Sequence, residues 1–384
     1  MKKLSMLQAL LAALIGLSPV AGVFAADKGV AYVSNQDGAV TVIDLATLST
    51  KGALDIGAKG PRGIGITADG KLLVTANRDD GNITILDTAS GKVVQHVAIG
   101  KNPEFVRVFG DKAYVTYEPS SKAGPPPKPG SKEAVAEDDD DDKIPGRIAI
   151  VDLKLGKVVK EIIGKPETEG VEFSIDGKKM VVTNESDNSI TIHDMKSGDL
   201  LKSIAVGSYG ERPRGIKASP DGKTYVATLE YADKMLVMND KFEVIRQVAT
   251  GKTPYGVSFS RDGKRIFVAA NKDKVLQVFD SASYKKIKDI PTGERCWHFT
   301  LTPDDQQLLL ACGKSNEVVV IDTEKLEVTK RIADKQMPWG IVTFPKAAGS
   351  LDRPCPLCNL LTALKRCRQP ACPGSGFGRR LEYR

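Results

Sequence analysis

Ala31-Tyr32-Val33-Ser34-Asn35 and, one short polar turn later, Val42-Ile43-Asp44 are apolar runs of strand length, the first closed by Asn and the second by Asp. The pair recurs along the chain. Aspartates close the second run at Asp44, Asp87, Asp152, Asp194, Asp240, Asp280 and Asp322, spaced by 43, 65, 42, 46, 40 and 42 residues. Inside the runs apolar residues alternate with polar ones, as in Ile83-Thr84-Ile85 and Ile190-Thr191-Ile192, which is a strand period and not a helical one. Each unit continues through a turn with Gly or Lys to a third strand, then Pro, an aromatic or charged residue, Gly, and a fourth strand. Asp69-Gly70, Asp176-Gly177, Asp221-Gly222 and Asp262-Gly263 end that fourth strand in tight hairpins, because these residues tolerate positive φ.

Seven units of four short antiparallel strands predict an all-β fold, a seven-bladed β-propeller with four-stranded antiparallel blades. Closing the ring leaves only short, protected sheet edges. The ends are out of phase with the blades: the chain enters on a second strand, and its last repeat finishes on an innermost strand, Gly340-Ile341-Val342-Thr343-Phe344. That strand is expected to pair with the N-terminal blade and complete it from the far end of the chain.

The first 25 residues have the form of a cleavable leader. Lys2 and Lys3 precede an uncharged apolar stretch, Leu7 to Leu17, and Val23-Phe24-Ala25 places small residues where a signal peptidase reads them. The stretch is broken by Ser18-Pro19 and falls short of a span of about 20 residues. Export to a bacterial periplasm is expected, with no membrane span after cleavage. The propeller is assigned to residues 26–346.

Tyr32-Val33-Ser34-Asn35 followed by Val42-Ile43-Asp44 resembles the YVTN family of β-propeller repeats, and Val74-Thr75-Ala76-Asn77, Tyr114-Val115-Thr116-Tyr117, Val181-Val182-Thr183-Asn184 and Val268-Ala269-Ala270-Asn271 vary the same signature. The resemblance covers roughly residues 28–345. It implies neighbours of several kinds: surface-layer proteins, periplasmic propellers, the heavy chain of quinoprotein amine dehydrogenases, the d-type haem domain of nitrite reductases, and lactonases. One fold hosts them all, so function has to come from the site.

In a propeller the connection into each innermost strand opens on the channel mouth. Aligning the repeats on the Gly after Pro gives a ring of residues expected just before those strands: Arg62, Glu104, Glu169, Arg214, Tyr255, Trp297 and Trp339. Four consecutive blades present charge and three present aromatics, so the mouth divides into a polar half and an aromatic half, a reasonable binding site. The charges either meet a ligand or pair with one another. The sixth position departs from the pattern. It reads Glu294-Arg295-Cys296-Trp297-His298-Phe299, with His298 where Gly63, Gly170, Gly215, Gly256 and Gly340 stand elsewhere. A bulky titratable residue in a small residue's place is a local break of the rule, and such breaks often mark function. His298 is either a packing histidine or a weak candidate ligand for metal or haem. Arg295 joins the binding set.

His193 precedes an anchor aspartate and His96 sits on an outer strand, so the histidines form no zinc-spaced cluster. Cys-x-x-Cys-His, Gly-x-Ser-x-Gly and phosphate-loop motifs are missing from the sequence. No cofactor is therefore expected, with haem or a divalent metal as the open alternative. Cys296 and Cys312 are placed in neighbouring blades, where they pair or stay buried.

The 65-residue gap is explained by an insertion in blade three, residues 120–145, with Pro125-Pro126-Pro127 and the acidic run Glu137 to Asp142. Adjacent carboxylates repel, so a disordered loop on the mouth side is expected. Residues 347–384 change composition, with Cys355, Cys358, Cys367 and Cys372 among basic residues, and read as an irregular tail. Residues 351–384 carry a net +5, and the leader accounts for two of the chain's +7, so the ring itself is near neutral. Its charge thus gives no reason to expect nucleic acid as partner. The reading is a periplasmic, non-catalytic binding or scaffolding propeller that takes a small ligand or protein partner at the mouth. The alternatives are an accessory or subunit of a quinoprotein or haem redox enzyme, and a lactonase-like metal-dependent hydrolase using Glu104 or Glu169.

Overall fold

The computed structural model describes residues 28–119, 144–333 and 335–352. The expected leader, most of the insertion and the four tail cysteines lie outside these residues. Among the described residues twenty-eight strands, numbered β1 to β28 in chain order, form seven four-stranded antiparallel sheets. The innermost strands are β4 (Pro61–Ile66), β8 (Val106–Phe109), β12 (Thr168–Phe173), β16 (Pro213–Ala218), β20 (Pro254–Phe259), β24 (Cys296–Leu301) and β28 (Pro338–Phe344). Closure follows the expected route. The last strand, β28, pairs antiparallel with β1 (Val30–Asn35), opposing Val342 to Tyr32 and Ile341 to Val33, and the first blade reads β28, β1, β2 (Val40–Asp44), β3 (Ser49–Leu54). No helix among the described residues is long and apolar enough to cross a membrane.

The repeat signature has a local physical meaning in each blade. The strand-closing aspartates accept backbone N–H bonds from the turn that follows: Asp44 Oδ1 from Ala46 and Thr47 at 2.8 and 3.0 Å, Asp194 Oδ1 from Lys196 and Ser197 at 2.9 and 2.7 Å. In blade five this role falls to Asn239 and not to Asp240, since Asn239 Oδ1 accepts the Lys241 N–H at 3.0 Å. The Asp-Gly hairpins hold glycine in the left-handed region, with φ of 74°, 67°, 71° and 73° at Gly70, Gly177, Gly222 and Gly263. Apolar faces of successive blades interlock into shared cores. Ala31, Val33 and Ile43 of blade one pack with Leu309, Ala311, Val318 and Val320 of blade seven across the closure.

Three expectations need correction. Cys296 and Cys312 form a disulfide, but within one blade, directly opposed on β24 and β25 (Gln307–Cys312). The irregular tail does not begin at 347. After Phe344 the chain re-enters the channel from the face opposite the mouth: Leu301 N donates to Ala348 O at 2.7 Å, Gly349 bridges Thr300, and Ser350 N donates to Phe299 O at 2.9 Å. Ala347, Ala348, Ser350, Leu351 and Asp352 are all buried there, so this strap belongs to the ring. The ring residues mostly lie inside strands as second residues, not before them; only Glu104 precedes its strand.

Candidate functional site

Starting from the aligned ring, the structure brings Arg62, Glu104, Arg214, Tyr255, Trp297 and Trp339 around one cavity of about 480 Å³ at the mouth. Arg295 lines it too. The polar and aromatic halves are real. Two further repeat positions, overlooked in the sequence, complete the polar half. One is the residue that follows each second strand: Gln36, Arg78, Glu118, Glu185 and Glu230. The other lies two residues before the ring position and includes Asn102, Glu167 and Arg212, all with positive φ from 50° to 63°; Arg295, already in the binding set, shares this offset on the aromatic side. Both recur at constant offsets from the repeat signature, and that was the signal available to find them.

The ring charges pair with one another. Arg62 binds Glu104 and reaches Gln36 Oε1 at 3.2 Å. Arg212 contacts Glu185, Glu230 and Glu167 at 2.6, 2.9 and 3.0 Å. Arg214 binds Glu185, Glu230 at 2.7 Å and Glu169 at 3.2 Å, and its guanidinium lies 4.7 Å from the Tyr255 ring centroid. The Tyr255 hydroxyl donates to Glu169 Oε1 at 2.9 Å. Glu169 itself sits just under the cavity wall, 4% exposed.

Burial divides these carboxyls into two groups. It works against the ionised form of Glu104, but Arg62 and Arg214 overcome it and hold that carboxyl below the ordinary range. Glu230 is likewise held down by Arg214 and Arg212 against burial. Burial, reinforced by the Glu104 charge, pushes Glu118 and Glu169 up to about 8, and burial lifts Glu185 well above its usual value. Six glutamates facing four arginines cannot all ionise cheaply in one site, so part of the excess holds protons near neutral pH.

His298 is not at the mouth. It is 2% exposed and lies beneath it, 4.4 Å from Trp339, 5.4 Å from Tyr255 and 5.8 Å from Phe105 between ring centroids. The five equivalent glycines have a steric reason. A Cβ at Gly256 would come 2.3 Å from the Trp297 carbonyl oxygen of the next blade, and one at Gly63 would come 2.6 Å from that of Glu104. Where Phe105 and His298 replace glycine, their side chains are buried beneath the cavity and meet edge-on, 5.8 Å between ring centroids. His298 Nδ1 lies 3.1 Å from Ser350 Oγ of the strap. Burial, then the charges of Arg107, Arg214 and Lys217, hold its pKa well below 6.5, so the imidazole is neutral. Below it, Arg107 Nη2 binds Glu172 at 2.7 Å, and Lys217 Nζ contacts Glu172 at 3.2 Å and donates to Asp352 O at 2.6 Å. His96 lies on an outer strand, near Thr84 Oγ1 at 3.1 Å, and His193 on the third strand of its blade, near Thr191 Oγ1 at 3.1 Å. Among the described residues no group of His, Cys, Asp and Glu is arranged to hold a metal ion.

This geometry defines a seven-bladed propeller with a charged and aromatic pocket at the channel mouth. The chain belongs to the cytochrome D1 heme domain family, which it matches over residues 6–106 and 144–295. The uncharacterized protein YncE of Salmonella typhimurium is 24% identical over 225 residues, covering 56% of this chain and 55% of that protein. The chain thus spans about half the length of the curated relatives it matches. Among solved structures, the periplasmic gluconolactonase PpgL of Pseudomonas aeruginosa aligns with a TM-score of 0.63 at 17% identity, over 82% of this chain and 98% of that one. The dihydro-heme d1 dehydrogenase NirN aligns with 0.60 at 16%, over 83% and 75%. These likenesses show the fold.

The family implies a haem, and haem iron is held by axial His, Cys, Met or Tyr donors. The described lining contains no His, Cys or Met. Its Tyr255 hydroxyl is committed to Glu169 and Arg214, and burial, with the Glu169 charge, pushes its pKa well above 10. Tyr231 lies under the Arg212 guanidinium at 5.4 Å. The residues present do not fit an axially ligated haem.

Proposed function

We propose that this chain is an exported, non-catalytic propeller that works in the periplasm as a binding module, taking a small ligand or a protein partner at the channel mouth. The observation that carries the reading is the cavity of about 480 Å³, lined on one side by aromatic residues and on the other by arginines already oriented by carboxylates. A pocket of this size, part apolar and with convergent polar groups, suits a small molecule. Glu104 and Glu169 are engaged by Arg62 and Arg214, which disfavours their use in a lactonase-like site.

The mature chain, screened by thermal shift against fractionated periplasmic metabolites, should yield a ligand that both raises the melting temperature and changes tryptophan emission. The chain has two tryptophans, and both line the mouth. A stabilising ligand that leaves their emission unchanged would place binding elsewhere. Cell fractionation with N-terminal sequencing checks export, and uncleaved protein in the cytosol would refute it. Family membership favours a second reading, an accessory or subunit of a haem or quinoprotein redox enzyme. Co-purification with a protein that carries a visible chromophore supports it, and a colourless chain with no such partner counts against it.

A further inference from the structure

The mouth holds more charge than its ion pairs neutralise, and the surplus is unevenly placed. On the polar side Arg62, Arg212 and Arg214 are paired with glutamates, and Arg78 donates to Asn102 Oδ1 at 3.0 Å. On the aromatic side Lys272, Lys314 and Arg295 line the cavity and make no ion pair with any described residue; Arg295 rests 5.3 Å from the Trp297 ring centroid. Lys274 beside them is paired with Glu294. The two indoles beside them, Trp297 at 6% and Trp339 at 1% exposure, also line the cavity but are almost wholly buried.

We infer that the mouth takes a small organic anion, held by Lys272, Lys314 and Arg295 on the side of Trp297 and Trp339, and that the glutamate wall opposite takes up a proton as the anion binds. This rests on the binding-module reading and names its ligand class and its pH dependence. The three unpaired cations supply the charge complement to an anion, with Arg295 held in place over the Trp297 ring. The proton uptake follows from shared geometry. An anion entering the cavity adds negative charge beside Glu104, Glu118, Glu167, Glu185 and Glu230, with Glu169 just beneath, and like charge favours the protonated carboxyl. The groups facing this wall are Arg62 on β4, Arg78 after the second strand of its blade, Arg212 and Arg214 at the start of β16, Tyr255 on β20 and Tyr231, with neutral His298 below. Four arginines against six carboxyls leave room for protons. Glu118 and Glu169, raised to about 8 by burial and then by Glu104, are the carboxyls that change state around neutral pH.

The test uses 8-anilinonaphthalene-1-sulfonate and N-phenyl-1-naphthylamine, the same ring skeleton with and without the anionic group, titrated into the mature full chain while tryptophan emission is read. The sulfonate should quench the tryptophans at one equivalent and bind at least about tenfold more tightly than the neutral amine. Its affinity should fall about fivefold or more from pH 7 to pH 9, as carboxyls that had held protons ionise. Lys272→Gln with Lys314→Gln should weaken the sulfonate and leave the amine unchanged. Glu118→Gln, which imitates the protonated acid, should keep the sulfonate tight at pH 9, an outcome that poor folding would not produce. Equal affinity for both probes with full quenching overturns the anion and leaves the mouth as a site. No response of the tryptophans to either probe overturns both the ligand class and the mouth. A pH-independent sulfonate affinity overturns the proton uptake.

Discussion

Arg214→Met isolates the centre of the mouth. The methionine keeps much of the arginine's apolar stem and removes a guanidinium that contacts Glu169, Glu185 and Glu230 and covers the Tyr255 ring. Glu169 and Glu185 are 4% and 3% exposed, so water cannot replace the lost cation. Removing one partner of a buried ion pair costs about 3–5 kcal/mol, a large share of the 5–15 kcal/mol by which folded proteins are typically stable. The sign of the pH dependence follows from the carboxyls. Without Arg214, Glu169 and Glu185 bind protons still more readily in the folded state than in the unfolded chain, so the native state holds the extra protons. Stability then declines as pH rises from the unfolded carboxyl range towards and through the raised folded values, and recovers as pH falls. Urea denaturation followed by tryptophan emission should show a penalty near 3–5 kcal/mol at pH 8.5 that shrinks at pH 5.5, because protonated carboxyls no longer need the cation. A penalty below about 1 kcal/mol at both pH values, or one larger at pH 5.5, would refute the buried network as the organising feature of this wall.

Other consequences are direct. Deleting residues 338–344 removes β28 and opens the ring, so cooperative urea unfolding should be lost; an unchanged transition would sink the closure. Gly256→Ala puts a methyl 2.3 Å from the Trp297 carbonyl oxygen, and chemical denaturation should show a loss of roughly 2 kcal/mol or more. Ser350→Ala removes the strap hydroxyl that binds His298 Nδ1, Phe299 N and Phe299 O, with an expected cost of about 1–3 kcal/mol by the same assay. Replacing Cys296 and Cys312 by serine frees a loop closed over a separation of 16 residues, and the melting point should fall in line with about 3 kcal/mol.

The linear repeat determined much of this protein by itself. Strand period, turn chemistry and the phase of the two ends depend on local sequence, so Tyr32 to Asp44 and its copies specify four strands per blade, seven blades and closure by Gly340 to Phe344. The ring of Arg62, Glu104, Arg214, Tyr255, Trp297 and Trp339 was equally legible, because a constant repeat offset maps to a constant height in the channel. Glu118, Glu185 and Glu230 share that property at a different offset and could have been read the same way. Three matters were decided only by the tertiary structure. The ring charges satisfy one another, which depends on distances between blades that no offset encodes. His298 lies beneath the mouth and is not a ligand at the rim, because it shares the channel with Phe105 and with a strap whose Ser350 lies 52 residues away in sequence. That strap shows no strand period, and its place in the channel comes from long-range hydrogen bonds to Phe299 and Leu301 on either side of the Thr300–Gly349 bridge.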